Sequence, residues 1–70
     1  MKNWIKVERA KRNMTQKQLA DVLGVSQHAI AAIETGRYEA NLGFALDVAK
    51  YFNKKVEDIF FRTDADIPEL

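Results

Sequence analysis

Residues 16–35 read QKQLADVLGVSQHAIAAIET, and this stretch decides the fold. Two short helices that cross steeply need a small residue where their backbones touch, and Ala20 supplies it. The turn between them needs a residue that takes a positive φ at little cost, and Gly24 stands there. The inner faces need branched apolar side chains on a helical period. Leu19, Leu23, Val25, Ile30 and Ile33 provide them. No Pro interrupts the segment. One such match carries no information, but agreement at all these positions predicts two helices joined by a tight turn.

A unit of this kind is a helix-turn-helix, whose second helix lies in the major groove of duplex DNA. The sequence therefore points to duplex-DNA binding.

Working outward, helix 1 is predicted from Asn3 or Trp4 to Arg12, with Asn13 taking the left-handed cap conformation. Thr15 and Gln18 form the T-x-x-Q capping box of helix 2, which ends at Leu23. Ser26 caps helix 3, from Gln27 to about Glu34, and Gly36 stops it. Asn41 caps helix 4, whose apolar stripe is Leu42, Ala45, Leu46, Val48, Ala49 and Phe52; Asn53 ends it. A short fifth helix runs from about Lys55 to Phe60. Residues 1–62 are expected to form one DNA-binding domain around the unit at 16–35. Residues 63–70, which carry the only Pro, are expected to be an acidic flexible tail.

Seventy residues allow one core, and so small a core is marginal without a staple. The absence of Cys excludes disulfides and thiolate metal sites, which makes oligomerisation the expected staple. The N-terminal MKNWIKVERAKRN contains no apolar run long enough for a signal peptide or membrane span, so a cytoplasmic location is expected. The net charge of +1 is unevenly spread. Residues 1–38 carry seven Lys and Arg against three carboxylates, +4, and residues 39–70 carry four against seven, −3. The positive half holds the helix-turn-helix, as phosphate binding requires.

Five helices in this order, with MTQKQLADVLGVS, AIETGRY and the VEDIF ending, resemble the lambdoid phage repressor and Cro family, the Xre-type regulators. The closest likeness is to small stand-alone bacterial transcriptional regulators. The resemblance implies an all-α, five-helix lambda-repressor-like domain with a possible short C-terminal strand. It also implies a homodimer that acts as a repressor on a palindromic operator.

The expected DNA-binding set follows from the unit and its flanks. Gln16 opens helix 2, where backbone N–H groups and an amide can hold a phosphate oxygen. Gln27, after the cap Ser26, can grip adenine N6 and N7. In the phage repressors the glutamines matching Gln16 and Gln27 hydrogen-bond each other, and the same brace is expected here. His28 reaches guanine or phosphate, while Ala29 and Ala31 offer methyl groups to thymine. Thr35, Arg37, Tyr38 and Asn41 occupy the flanking loop, with Arg37 the strongest phosphate contact expected, and Lys17 and Lys6 lie further out. About five neutralised phosphates per subunit would give a dimer a log K against log salt slope near −9. The resemblance further implies a partly buried Arg9–Glu34 salt bridge. Trp4, Phe60 and Phe61, with Ile59 beside them, are expected at a dimer interface, and Phe60–Thr63 could instead form a strand paired with the N-terminus.

Competing function classes are weaker. An antitoxin-like or degenerate protein-interaction module would use the same fold to bind a partner such as a toxin. Catalysis lacks its instruments: there is one His, no Cys, no glycine-rich phosphate loop and no acid–base pair. No cofactor or metal is expected.

Overall fold

The computed structural model describes residues 1–63. The elements are β1 (Lys2–Asn3), α1 (Ile5–Lys11), α2 (Gln16–Leu23), α3 (Gln27–Glu34), α4 (Leu42–Phe52), α5 (Val56–Ile59) and β2 (Phe60–Phe61). The all-α reading with a short terminal strand pair holds. Apart from Thr63, the expected acidic tail lies outside the described residues.

Local chemistry sets most of the boundaries. The Thr15 hydroxyl accepts from the Gln18 backbone N–H at 3.0 Å, and the Gln18 side chain accepts from the Thr15 N–H at 2.8 Å, closing the capping box. Ser26 accepts from the Ala29 N–H at 3.0 Å and Asn41 from the Phe44 N–H at 2.8 Å. Each such cap stabilises its helix by about 1 kcal/mol. Chain reversals use left-handed residues: Asn13 at φ 51°, Gly24 at φ 71° and Asn53 at φ 56°. Beyond α2, the Val25 N–H returns to the Ala20 carbonyl at 3.0 Å. That bond aims the chain back across α2 and starts α3.

Ile5, Leu19, Ile30, Val48 and Ile59 are fully buried and form the centre, joined by Ala20, Ile33, Ala45, Ala49, Phe52 and Phe60. Ala20, at 2% exposure, is the small buried residue that α2 contributes to this core. β1 and β2 pair antiparallel, Lys2 opposite Phe61 and Asn3 opposite Phe60. This ribbon ties the N-terminus to the end of α5, helped by the Trp4 N–H donating to the Ile59 carbonyl at 2.8 Å.

Several expectations are corrected. Leu42 and Leu46 are 71% and 52% exposed rather than in the core. Ala45, Val48, Ala49 and Phe52 already fill the buried stripe of α4, and at 100° per residue the two leucines fall on its flank. Val25 also stands at the surface. Phe60 and Ile59, expected at an exposed dimer interface, are buried. α5 stops at Ile59 because Phe60 is extended, at φ −110° and ψ 136°. Strand alternation then turns Phe60 inward and leaves Phe61 half-buried, stacked 5.2 Å from the half-exposed Trp4 ring.

Candidate nucleic-acid interface

α3 begins at the surface of the domain. Ser26, Gln27 and His28 are exposed; Ala29 and Ala31 are half-buried; Ile30 and Ile33 point into the core. The buried side of α3 thus anchors the helix while its N-terminal end projects. Ala29 also lines a shallow groove with Leu23, Val25, Tyr38 and Phe44.

The loop after α3 folds back over the end of that helix. The N–H groups of Arg37 and Tyr38 both donate to the Ala32 carbonyl, at 3.0 and 3.2 Å, and that of Gly36 donates to Ile33 at 3.1 Å. The Thr35 hydroxyl is turned inward and donates to the Ala31 and Ala32 carbonyls at 3.1 Å each. Asn41 spends its side-chain oxygen on the α4 cap. Arg37 and Tyr38 remain exposed, and the Arg37 guanidinium has no ion-pair partner among the described residues. The loop backbone is therefore constrained while its one cation is available.

At the start of α2, Gln16 is half-buried and Lys17 exposed. Lys17 pairs with Asp21 at 3.3 Å, but both side chains are about two-thirds or more exposed, so the pair yields readily to a phosphate. Gln16 does not engage Gln27. Its Nε2 donates to Glu34 Oε1 at 3.0 Å, and among the described residues no hydrogen bond joins the two glutamines. The expected brace between them is replaced by one to the end of α3.

Glu34 is also held by Arg9, whose Nε and Nη2 donate at 2.6 and 3.0 Å in a two-pronged fork. The Arg9 Nη1 donates to the Met14 carbonyl at 2.8 Å. The Arg9 and Glu34 side chains are 12% and 4% exposed, so the pair is a buried clamp between α1 and α3. Asn3 adds a bond from its amide to the Ile33 carbonyl at 2.9 Å.

A second charged cluster, centred on the buried Glu8, was not expected from the sequence. Arg12 donates to Glu8 Oε1 and the Glu8 carbonyl at 2.9 Å each and to the Phe52 carbonyl at 3.1 Å, with its guanidinium 4.5 Å above the Phe52 ring. Lys11 reaches the other Glu8 oxygen at 3.2 Å. Burial alone pushes the Glu8 carboxyl up, but the Arg12 and Lys11 hydrogen bonds and the charges of Lys11 and Lys54 outweigh it, leaving the group below its ordinary value of 4.5. The i,i+4 spacing of Glu8 and Arg12 was the available signal; the reach to Phe52 had none.

A rigid helical pair with a projecting second helix, a constrained basic loop and a clamped first turn of α2 is a helix-turn-helix DNA-binding domain. The chain belongs to the helix-turn-helix family of Xre/Cro-like regulators, whose match covers residues 5–59. It is 50% identical to an uncharacterized HTH-type transcriptional regulator of Methanocaldococcus jannaschii over 91% of this chain and 97% of that protein. Similar regulators occur in Archaeoglobus fulgidus, 42% identical over 99% of this chain and 97% of that protein, and in Bacillus subtilis, 41% over 87% and 92%. DNA binding in transcription regulation is therefore its functional class. Among the described residues no helix is long and apolar enough to cross a membrane.

Proposed function

We propose that the protein is a sequence-specific repressor that binds a two-fold symmetric operator in duplex DNA as a homodimer. The observation that carries this reading is the exposed start of α3, Gln27 and His28, together with the exposed Arg37, which has no ion-pair partner among the described residues and stands on a loop backbone held by hydrogen bonds. Gln27 and His28 read base edges, with Ala31 and Ala29 offering methyl contacts. Gln16, Lys17, Ser26, Thr35, Arg37, Tyr38 and Asn41 face the sugar-phosphate backbone. Residues 1–62 act as the DNA-binding domain.

A homodimer needs uncovered apolar surface for its second copy. The Trp4–Phe61 stack and the α4 pair Leu42 and Leu46 supply it. Two copies would set their α3 helices into successive major grooves about 34 Å apart. Such a dimer represses by occupying promoter DNA, and its occupancy responds to the monomer–dimer equilibrium.

The test is selection of the purified protein on a random duplex library at near-physiological salt. Enrichment of a two-fold symmetric site is the expected result. With that site in hand, Gln27→Ala should weaken binding by about 1–3 kcal/mol while random DNA is bound nearly as before. A folded protein that enriches nothing would overturn base reading. The half-buried Ala29 and Ala31 would then favour a protein-partner role of the antitoxin kind.

A further inference from the structure

Glu34 ends the helix proposed to read DNA, yet its carboxylate is 4% exposed and takes three hydrogen bonds, two from Arg9 and one from Gln16. A carboxylate can only accept, so this contact decides which way the Gln16 amide faces: nitrogen toward Glu34. That nitrogen carries two N–H groups. One is used at 3.0 Å on Glu34 Oε1, and the other is left for an acceptor outside the protein. The fork from Arg9, anchored in turn on the Met14 carbonyl at 2.8 Å, holds Glu34 itself in place.

From this arrangement we infer that Glu34 is a positioning residue for DNA-backbone binding, acting through Gln16, and that Gln16 works independently of the base-reading Gln27. The inference rests on the DNA-binding reading above. Arg9 and Glu34 lock the Gln16 amide at the first turn of α2, pre-orienting its free N–H for a phosphate oxygen, so little side-chain freedom is lost on binding. Backbone grip and base readout are then separate functions of separate residues. With a Gln16–Gln27 brace they would be one coupled unit.

Double-mutant cycles read by fluorescence anisotropy test this, first on a labelled duplex of random sequence. Gln16→Ala should weaken binding about fivefold, the worth of one hydrogen bond. Glu34→Gln should weaken it by a similar factor or less, and that loss should vanish in the Gln16→Ala background. On the selected operator, Gln16→Ala and Gln27→Ala should multiply without coupling. Should Glu34→Gln unfold the protein, NMR of the unmutated chain supplies the answer. One proton of the Gln16 side-chain amide should keep its carboxylate-bonded shift on adding the random duplex while the other moves. An undiminished Glu34→Gln effect in the Gln16→Ala background, coupling between Gln16 and Gln27, or loss of the carboxylate-bonded proton in the complex would overturn the inference. Those results leave the DNA-binding reading standing. A wild-type protein that binds no duplex at all overturns both.

Discussion

Arg12→Ala is expected to lower the stability of the domain by about 2–3 kcal/mol at neutral pH. The guanidinium supplies a charge-assisted bond to Glu8 Oε1 at 2.9 Å, a bond to the Phe52 carbonyl at 3.1 Å, and a cation–π contact at 4.5 Å. Typical values are about 1.5–3 kcal/mol for the first, about 1 for the second and about 0.5–1 for the third. The sum is an upper bound. The Arg12 side chain is 36% exposed, so water reaches part of what it leaves, and Lys11 still holds Glu8 Oε2 at 3.2 Å. For a domain of this size the loss corresponds to a Tm lower by about 10–20 °C. Its pH dependence identifies the cause. In the wild type the Glu8 carboxyl lies below 4.5, so its stabilisation is complete above that pH and fades as pH falls through the folded-state value. Without Arg12 only Lys11 and Lys54 remain against burial, so the carboxyl rises and the stabilisation it gives above that pH shrinks. The gap between wild type and variant should therefore narrow on moving from pH 7 to about pH 3.5 in urea denaturation followed by circular dichroism. A loss below about 0.5 kcal/mol, or one of equal size at both pH values, would refute this account.

Three further expectations follow from other parts of the molecule. Arg37→Ala should weaken selected and random duplexes by the same factor and reduce the salt slope by about 0.9 per subunit, in anisotropy titrations at several salt concentrations; a loss confined to the selected site would make Arg37 a base reader. Gly24→Ala should cost about 1–2 kcal/mol in urea denaturation, because φ is 71° but a Cβ there would meet nothing within 4 Å. A loss above about 3 kcal/mol would show a steric role instead. Trp4→Ala and Leu46→Glu alter exposed side chains, so each should leave the fold intact, and at least one should shift sedimentation from dimer toward monomer. An unchanged mass for both would place the dimer contact elsewhere.

What was legible in the sequence is what short-range chemistry decides. Thr15 with Gln18, Ser26, Asn41, Gly24, Asn13 and Asn53 each act within a few residues of their own position, and each does what its side chain or backbone freedom dictates. The Arg9–Glu34 pair was legible only through resemblance, since 25 residues separate the partners. Three features depended on competition in three dimensions. Leu42 and Leu46 lie on the flank of the core stripe of α4, whose buried face Ala45, Val48, Ala49 and Phe52 already fill. Phe60 and Phe61 exchange roles according to where α5 ends, by the one-residue alternation of a strand. The Gln16 amide, expected to meet Gln27, bonds instead to the charged Glu34, eighteen residues along the chain.

That choice bears on how much selectivity the protein can reach. On the proposed reading, two direct readers, Gln27 and His28, at about 1–3 kcal/mol each would give a single copy about 2–6 kcal/mol of discrimination. Specific regulators separate target from random DNA by about 4–10 kcal/mol. One copy therefore reaches at most the lower part of that range, and two copies on a symmetric site would bring about 4–12 kcal/mol, which spans it. The alanines at positions 29 and 31 carry no polar group for base readout. In the proposed dimer the remainder comes from repetition, and repetition requires that both copies present α3 at a fixed distance and angle. Arg9 with Glu34, and Arg12 with Glu8 and the Phe52 carbonyl, tie α3 and α4 to α1 and its C-cap, which fixes the proposed reading helix relative to α4. A looser core would let each half-site bind separately and lose the doubling on which discrimination depends.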